Sequence, residues 1–375
     1  MSECMTSADV LVVGGGPAGL AAAIALRQAG REVVVADGAG PVIDKACGEG
    51  LMPRALKSLR ALGVDLPVDA GRPFRGISFC VPGAAARAPF AGACGVGMRR
   101  TELHGLLVEH AQAAGVVLRW NSPMQLEPDG TALIAGERWT AQWVIGADGR
   151  RSAIRRAAAL EPRESVGVGS ERFGFRQHFR AVPWSHDVEV YWADGVQAYV
   201  TPVAEDQICV ALVGQEKNCR LAALSCLFPE LAARLAGATC LTSERGAMTS
   251  CRRIPRLGRG NVLLIGDAAG SVDAVTGLGL SIALEQAVEL GAALQAGRPE
   301  KYARRALALQ RMPRTMSNVL TFLSRHPEIC RRVIVASARE ARVFARLTAS
   351  HSGTRSALAW RAGTLARLGW HFARA

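Results

Sequence analysis

Apolar and polar positions near the start of the chain follow in blocks that fit a strand, a helix and a second strand. The apolar run at 10–13 predicts a buried strand, and the small and apolar residues at 17–28 predict a helix that Gly30 ends. The apolar run at 32–37 predicts the next strand. Two strands joined through a helix pair in parallel with a right-handed crossover. The sequence therefore predicts a β-α-β unit. Further patterns predict helices at 52–64 and within 99–120, and a strand at 141–149.

Near residue 172 the hydrophobic period changes to two residues, which is typical of antiparallel strands joined by short turns. The first of these strands alternates aromatic with basic side chains, Phe173, Phe175 and Phe179 against Arg172, Arg176 and His178. The next places Val188, Val190 and Trp192 on one face, and Asp194 and Gly195 mark the turn after it. After residue 290 the chain is mostly helical.

These patterns predict a mixed α/β (α+β) fold. An antiparallel sheet is inserted into a Rossmann-like nucleotide-binding domain with a parallel sheet. We assign 8–70, 92–160 and 252–300 to the nucleotide-binding domain, 71–91 and 161–251 to a substrate-binding sheet domain, and 301–375 to a basic helical C-terminal region.

The charge of the chain is concentrated in its last part. The formal net charge is +13, and 301–375 contains fifteen Lys and Arg against two acids, so this region alone carries +13. Such a tail fits a solvated helical face, and also contact with an anionic membrane surface, an acidic carrier protein or an acidic substrate. An apolar stripe at 358–372 fits either packing on the body or a membrane surface. Nucleic acid is not an expected partner, because no interleaved aromatic residues or binding module accompany the charge.

Targeting and metal-binding signals are not evident in the sequence. The first residues lack a basic segment followed by an apolar one, and no apolar run approaches the ~18 residues of a membrane-spanning helix. We expect a cytoplasmic protein, peripheral to the membrane at most. The ten cysteines form no Cys-x-x-Cys pair, which predicts reduced thiols and no metal centre.

A Gly-x-Gly-x-x-Gly motif, formed by Gly14, Gly16 and Gly19, connects the first strand to its helix. Gly14 permits the tight turn, Gly16 lets a pyrophosphate approach the backbone, and Gly19 lets the helix pack closely on the strand. Asp37 ends the second strand, where it is placed to bind a ribose hydroxyl. The combination predicts a dinucleotide site.

Two later Gly-Asp segments follow apolar strands, one at Asp148 and Gly149 and one at Gly266 and Asp267. The second precedes a helix. The start of a helix offers free backbone N–H groups and the positive end of its dipole to an anion. The chain therefore carries a second cradle far from the first, as a long cofactor with two halves would need.

Together the three segments resemble the fingerprints of the para-hydroxybenzoate hydroxylase-type FAD-dependent oxidoreductases. The resemblance implies an FAD-binding domain with tightly bound, non-covalent FAD, and NAD(P)H as a transient reductant. It implies that the first motif holds the ADP half and that the late motif holds the ribityl chain. The implied cofactor-binding residues are Gly14, Gly16, Pro17, Ala18, Gly19, Asp37, Cys47, Gly48, Arg100, Asp148, Gly149, Gly266, Asp267, Ala268, Gly277, Gly279 and Leu280.

Two segments resemble the geranylgeranyl-reductase-like branch of that superfamily, and the strands after residue 172 resemble flavoproteins found with type III polyketide synthases. In KACGEGLMPRAL, Cys47 and Gly48 match the branch's Cys-Gly-Gly-Gly-Leu motif, whereas Glu49 departs from it. In GDAAGSVDAVTGLGL, Gly270 stands where the phenol hydroxylases usually carry histidine.

The resemblance gives few candidates for catalysis. Cys47 fits either a thiol beside the flavin or a small packed residue, and Tyr199 fits a cavity wall better than a catalytic role. His178 is expected to be solvated or satisfied in the core. The predicted substrate pocket consists of Trp192, Tyr199, Thr201 and Pro202.

Two reactions remain open on these grounds. The first expectation is a single-component monooxygenase that uses NAD(P)H to hydroxylate a hydrophobic phenolic or polyketide secondary metabolite. The alternative is an FAD-dependent reductase of a carbon–carbon double bond in an isoprenoid or polyketide chain. A purely electron-transferring flavoprotein is disfavoured, because relatives of that kind carry a C-terminal cysteine cluster and only Cys330 lies beyond Cys251.

Overall fold

The structure, a computed structural model, describes residues 6–90, 92–162, 171–216 and 219–352. Its strands in chain order are β1 (Thr6–Val13), β2 (Val33–Ala36), β3 (Gly50–Leu51), β4 (Arg72–Phe74), β5 (Gly76–Val81), β6 (Ala84–Pro89), β7 (Gly95–Gly97), β8 (Val117–Arg119), β9 (Met124–Leu126), β10 (Ala132–Ile134), β11 (Glu137–Gly146), β12 (Arg172–Arg180), β13 (Val188–Ala193), β14 (Val196–Pro202), β15 (Gln207–Gly214), β16 (Thr239–Cys240), β17 (Arg245–Thr249), β18 (Arg252–Arg253), β19 (Gly258–Arg259), β20 (Val262–Leu264) and β21 (Gly270–Ser271). Its α-helices are α1 (Pro17–Gln28), α2 (Pro53–Ala61), α3 (Arg100–Ala113), α4 (Ala153–Ala157), α5 (Leu224–Leu227), α6 (Pro229–Arg234), α7 (Gly279–Gln295), α8 (Pro299–Leu309), α9 (Arg311–Ser324), α10 (Pro327–Arg339) and α11 (Ala341–Ser352), and 3₁₀ turns lie at Leu221–Ala223, Gly266–Ala269 and Ala274–Thr276.

A parallel sheet with β1 near its centre forms the core of the first half. β1 pairs in parallel with β11 on one side and β2 on the other, and β20 and β8 extend the two sides in the same direction. Residues 10–13 are buried, as expected for a strand of a parallel sheet whose two faces are both covered. The predicted β-α-β unit and Rossmann-like sheet are confirmed.

α7 packs closely against α1, the helix of the β-α-β unit. An added Cβ at Gly291 would lie 2.9 Å from both the Cβ and the carbonyl oxygen of Ala25. An added Cβ at Gly266 would lie 2.7 Å from the Cβ of Ala18. These two close contacts place the late Gly-Asp segment against α1, the helix that follows the first glycine motif, although the segment and the helix are far apart in sequence.

The second sheet has the order β16-β12-β15-β14-β13-β5-β6, with β17 beside β12. Its neighbours are antiparallel, as predicted, except that β13 pairs in parallel with β5. A parallel pair needs a long connection. Here the connection runs through the nucleotide-binding half, which is how one sheet comes to be inserted into the other domain.

β12 turns its basic side chains inward. Arg172, Arg176 and His178 are each at most 2% exposed, whereas Phe173 and Phe175 are partly exposed. A period of two residues indicates which side chains share a face, but not which face is buried. Here carboxylates compensate for burial of the basic face, and they are Asp273, Asp44 and Glu49.

The helices α9, α10 and α11 complete a second hydrophobic core, whereas α8 packs in the core of the first half through Tyr302 and Ala306. α10 and α11 contact β6, and Leu320, Ile334 and Phe344 pack in one cluster with Trp192. Residues 353–375, with the predicted apolar stripe, lie outside the described residues. Within the described part, no helix combines the length and the hydropathy that crossing a membrane requires.

Two glycine-to-alanine substitutions test the packing of α7 on α1. In Gly291→Ala the new methyl group meets the Ala25 backbone, so we expect the free energy of unfolding to fall by about 1–3 kcal/mol, as is usual for overpacking. Gly105→Ala adds the same group on α3 with no neighbouring atom within 4 Å. There we expect a gain of about 0.5–1 kcal/mol from helix propensity. Denaturant titration measures both changes, and an equal gain at both positions would contradict the packing.

Candidate active site

One cavity of about 890 Å³ extends across both halves of the protein. At one end it follows the glycine motifs at the carboxyl ends of β1, β11 and β20. At the other it enters a space between β5, β13 and the helices α9–α11, which we call the chamber. The carboxyl edge of a parallel sheet is where α/β folds bind nucleotides. The cavity is therefore the candidate site for both cofactor and substrate.

The first glycine motif is built from backbone contacts that leave no room for side chains. Gly14 has a φ of +107°, and an added Cβ would lie 2.5 Å from the carbonyl oxygen of Ala147. An added Cβ at Gly19 would lie 1.8 Å from the carbonyl oxygen of Gly14. At Gly16 an added Cβ would have no neighbour within 4 Å, and this residue lines the cavity. The motif therefore presents bare backbone to a ligand.

Asp37 and His104 fix the shape of this turn. The Asp37 carboxylate accepts hydrogen bonds from the backbone N–H groups of Gly15 at 2.6 Å and Ala39 at 2.7 Å. His104 Nε2 donates to the carbonyl oxygen of Gly15 at 2.8 Å, and burial lowers the pKa of this imidazole. His104 is thus a neutral, structural residue beneath the turn, and Asp37 also lines the cavity.

The middle and late motifs meet at the same cavity. One carboxylate oxygen of Asp148 accepts the backbone N–H groups of Ala153 at 2.6 Å and Ile154 at 3.1 Å, where α4 begins. Gly266 and Gly277 both have positive φ angles, +62° and +64°, so each turn requires glycine's conformational freedom. The three motifs, dispersed in sequence, thus border one continuous space.

The open backbone and unpaired groups along this space fit FAD. Added Cβ atoms at Gly16, Gly48 and Gly279 would have no neighbour within 4 Å, which leaves three stretches of backbone free to contact a ligand. Among the described residues, the Nε atom of Arg100 and the Oδ1 atom of Asp148 are buried without a hydrogen-bond partner. The start of α7 adds backbone N–H groups and the positive end of the helix dipole. A long nucleotide with phosphates and hydroxyl groups would satisfy these groups.

Most of the cofactor-binding residues expected from the sequence line this cavity: Gly14, Gly16, Pro17, Ala18, Asp37, Cys47, Gly48, Arg100, Asp148, Gly149, Gly266, Asp267, Gly277, Gly279 and Leu280. Gly19 and Ala268 do not. Gly19 packs on Gly14, and Ala268 is fully buried, where its carbonyl oxygen accepts a hydrogen bond from Arg155 at 2.9 Å. Both residues support the cradle from behind.

The loop before β3 carries Cys47, Gly48 and Glu49 into the lining, and the second sheet holds it in place. Thr201 on β14 donates to the Gly48 carbonyl oxygen at 2.8 Å, and the Cys209 thiol on β15 donates to the Cys47 carbonyl oxygen at 3.8 Å. The sulfur of Cys47 accepts the backbone N–H of Glu49 at 3.4 Å. Cys47 therefore shapes a tight turn in addition to facing the cavity.

Glu49 is the centre of a buried polar cluster that sequence reasoning missed. It is 2% exposed, its Oε2 lies 2.6 Å from Nε2 of His178, and its Oε1 lies 3.8 Å from Nε of Arg176. Oε1 also accepts the backbone N–H of Arg100, the first residue of α3, at 3.0 Å. Arg176 pairs in addition with Asp44 in the same loop. An imidazole, a guanidinium and a helix N-terminus thus compensate for the buried carboxylate.

The Glu49–His178 pair can hold a proton at the wall of the cavity. A carboxylate and an imidazole 2.6 Å apart share a charge-assisted hydrogen bond. The Cys209 thiol lies within 4.8 Å of both, a spacing that would also suit a metal ion. The Arg176 guanidinium beside Glu49 opposes a cation at this position. Hydrogen bonds between Glu49 and His178 and from the Cys209 thiol to the Cys47 carbonyl oxygen already engage these groups, which favours a hydrogen-bonded cluster.

The chamber is walled by aromatic and aliphatic side chains. Phe79 packs edge-on against Trp192 and against Phe344, with ring centroids 5.5 and 5.3 Å apart. The Tyr199 hydroxyl donates to the Val275 carbonyl oxygen at 2.8 Å, and burial raises the pKa of this phenol. Tyr199 therefore braces the Ala274–Thr276 turn as a neutral group.

Of the substrate-pocket residues expected from the sequence, Trp192, Tyr199 and Thr201 line the cavity. Pro202 does not, because its carbonyl group packs on Gly97, where an added Cβ would lie 1.8 Å from the Pro202 oxygen. Sequence reasoning missed the wall formed by α9–α11, because the positive charge of these helices drew attention away from their apolar faces.

Glycine cradles of this shape, opening into an apolar chamber, are what a flavin-dependent oxidoreductase requires. The family profile described as "FAD binding domain" matches residues 7–225, more than half of the chain, and the chain belongs to this family. The protein is an FAD-dependent oxidoreductase, FAD is its cofactor, and NAD(P)H is the reductant typical of the family. The resemblance identified from the motifs is confirmed.

Curated relatives include both reductases and monooxygenases. Menaquinone reductase from Mycolicibacterium smegmatis is 29% identical over 311 residues, 75% of this chain and 74% of that protein. Digeranylgeranylglycerophospholipid reductase 1 from Methanopyrus kandleri is 30% identical over 304 residues, 74% of this chain and 77% of that protein. Rifampicin monooxygenase from Streptomyces venezuelae is 27% identical over 322 residues, 76% of this chain and 63% of that protein.

The solved structures that resemble this chain share its fold. A flavoprotein/dehydrogenase from Cytophaga hutchinsonii superposes with a TM-score of 0.78 at 18% identity, covering 96% of this chain and 94% of that one. The arrangement of a parallel sheet, a second antiparallel sheet and C-terminal helices is thus that of known flavoproteins.

Gly16→Ala tests the cradle. The added methyl group meets no protein atom within 4 Å but enters the space we assign to the cofactor. We expect the affinity for FAD to fall by about tenfold or more, equivalent to about 1.4 kcal/mol. Fluorescence titration of flavin-depleted protein measures the dissociation constant. Gly105→Ala is the control, because it adds the same group outside the cavity. Unchanged affinity in Gly16→Ala would contradict the assignment.

Glu49→Ala tests the buried cluster. Removing this carboxylate leaves Nε2 of His178 without its partner and deprives Arg176 of one of two acids, so we expect a loss of stability of about 3–5 kcal/mol. Glu205→Ala breaks the pair with Arg72, in which Glu205 is 91% exposed, and we expect about 1 kcal/mol or less there. Denaturant titration of both variants gives the comparison, and similar losses would contradict a central role for Glu49.

Proposed function

We propose that the protein is an NAD(P)H-dependent reductase that saturates a carbon–carbon double bond in a long isoprenoid chain. The observation that carries this proposal is the chamber, which joins the cofactor space to a deep apolar volume. FAD, when bound, would relay a hydride from NAD(P)H to the substrate. The sequence narrowly favoured hydroxylation, on the strength of the superfamily and the expected aromatic pocket, although its Gly-Asp and Cys-Gly details resemble the reductase branch. The chamber and the reductase relatives favour reduction.

The composition of the chamber supports a hydrocarbon substrate. The charged residues of the cavity lining all lie on the cofactor side, whereas the described lining from β5, β13 and α9–α11 contributes no charged side chain. The chamber wall is formed by side chains such as Phe79, Val190, Met316, Leu320 and Ile334. Burying an alkyl or prenyl chain there gains about 25 cal/mol per Å² of apolar surface removed from water. A small polar substrate would gain little from such a space.

The polar cluster supports the proton balance of a reduction. Saturating a double bond adds one hydride and one proton, while NAD(P)H is oxidised to NAD(P)⁺. Glu49 lines the cavity, and its 2.6 Å hydrogen bond with His178 places an acid–base pair where bulk water has limited access. Two relatives that each match about three quarters of the chain are also named as reductases.

Hydroxylation is the second candidate, and a specific observation favours it. Trp192 Nε1 and Ser337 Oγ line the cavity, and both are buried without a hydrogen-bond partner among the described residues. Two such groups could orient an oxygenated ring, as hydroxylation of a phenolic or polyketide substrate would require. The rifampicin monooxygenase relative is consistent with this candidate.

Product mass distinguishes the two reactions. The holoenzyme is incubated with NADPH and either a polyprenol or a long-chain alkylphenol, with and without ¹⁸O-labelled oxygen. Reduction predicts a product that gains two hydrogen atoms and forms without oxygen. Hydroxylation predicts a product that gains one labelled oxygen atom and forms only in its presence. An oxygen-dependent product would overturn our proposal in favour of the second candidate.

Leu320→Trp tests whether the chamber holds the chain. The larger ring fills space in the chamber wall at a residue outside the set expected to bind the cofactor, so we expect kcat/KM for a long prenyl substrate to fall by about tenfold or more. Bound FAD should stay at the wild-type level. Phe322→Trp is the matched control, because Phe322 lies on the same helix, is 49% exposed and does not line the cavity. Equal kcat/KM values in the two variants would contradict occupation of the chamber.

A further inference from the structure

A second, smaller cavity of about 380 Å³ lies beside α9. We call it the basic pocket, and its lining residues are Arg253, Pro255, Leu307, Arg311, Arg314 and Thr315. Half of these residues are arginines and none is acidic. The pocket therefore attracts anions, and unlike the cofactor cavity it has no acid among its lining residues.

The three arginines have no compensating carboxylate among the described residues. None of them forms an ion pair there, whereas the neighbouring Arg252 pairs with Glu161. The Nε atom of Arg314 is buried without a hydrogen-bond partner. Burial lowers the pKa of Arg314, and the positive charge of Arg253 contributes in the same direction. Partly buried positive charge of this kind is costly unless an anion approaches it.

The backbone fixes Arg314 at the inner side of the basic pocket. Its Nη2 donates to the carbonyl oxygen of Arg252 at 3.1 Å and also to the side chain of Gln310. An added Cβ at Gly270 would lie 3.0 Å from this Nη2 atom and 2.8 Å from the Arg252 oxygen. The absence of a side chain at Gly270 thus leaves the space that the guanidinium occupies.

Thr315 connects the basic pocket to the chamber, because it lines both cavities. It lies one turn after Arg311 on α9, and its hydroxyl donates to the Arg311 carbonyl oxygen at 3.2 Å. A ligand that fills the chamber therefore has a cationic site at its boundary.

We propose that Arg253, Arg311 and Arg314 form a phosphate-binding site for the phosphate or diphosphate head of the molecule whose apolar chain occupies the chamber. Guanidinium groups match phosphate oxygens with paired, charge-assisted hydrogen bonds, and three of them suit a group of more than one negative charge. The identity of the attached chain rests on the proposed function. The existence of the phosphate site does not.

Calorimetric titration of the holoenzyme with inorganic diphosphate tests the site without turnover. Arg253→Gln/Arg311→Gln removes two exposed arginines that have no internal partners among the described residues, so the fold should persist. We expect the double variant to bind diphosphate about tenfold or more weakly. Arg331→Gln and Arg331→Gln/Arg332→Gln are the controls, because these arginines lie exposed on α10, line neither cavity, form no ion pair among the described residues and match the loss of charge. No binding by the wild type, or equal weakening in the double control, would overturn the proposal.

A second measurement identifies the source of the phosphate. Holoenzyme binding is compared for a prenyl diphosphate, the prenol of the same chain and inorganic diphosphate. If the head belongs to the chamber ligand, inorganic diphosphate competes with the prenyl diphosphate, and the Arg253→Gln/Arg311→Gln variant weakens binding of that ligand but not of the prenol. Diphosphate binding without competition would overturn the link to the chamber and indicate a separate phosphate source. If no prenyl compound is reduced but competition persists, the proposed function fails and the site stands.

Discussion

The buried carboxylate of Glu49 is the contact on which the geometry of the active site depends. Glu49 belongs to the nucleotide-binding half and accepts the first N–H of α3, whereas His178 and Arg176 belong to the second sheet. It also holds a φ of +60°, an unusual conformation for a residue with a side chain. Such strain persists only where surrounding contacts determine it. Separating the loop from the second sheet would leave the buried carboxylate of Glu49 unpaired. These ion pairs therefore hold the loop that carries Cys47 and Gly48 against the sheet.

At the cofactor end of the cavity, the glycine residues serve two different purposes. Gly14 and Gly19 are needed because neighbouring backbone occupies the place of a Cβ, whereas Gly16 and Gly279 are open where a ligand would contact the chain. The first kind of glycine determines the fold and the second determines binding. The late motif at Gly266 is brought to the first by helix packing, which explains how two cradles 250 residues apart serve one elongated cofactor.

The glycine motifs and the parallel sheet could be predicted from sequence because their requirements are local. A tight turn, a helix start and a terminal acid occupy fixed spacings, so Gly14, Gly16 and Asp37 are recognisable without any knowledge of distant residues. Glu49 could not be interpreted in this way. Its partners lie 51 and 129 residues away in sequence, and only the folded chain brings them together. The signal available was its departure from the Cys-Gly-Gly-Gly-Leu pattern, which marks a special position but not its partners. The buried face of β12 could not be predicted either. The alternation of aromatic and basic residues shows which side chains share a face, but not that the arginines face inward.

The basic C-terminal region shows how composition can conceal function. Excess arginine usually indicates a solvated surface, and for an isolated helix that interpretation would be sufficient. In the folded protein, α9 instead separates two spaces of opposite character, with Leu320 and Met316 facing the chamber and Arg311 and Arg314 facing the basic pocket. An arginine placed for solubility would project into water, yet Nε of Arg314 is buried. Surface charge alone does not account for this burial, whereas the amphiphilic ligand that we propose would contact both spaces. It also means that part of the positive charge of this region needs neither a membrane nor a carrier protein to account for it.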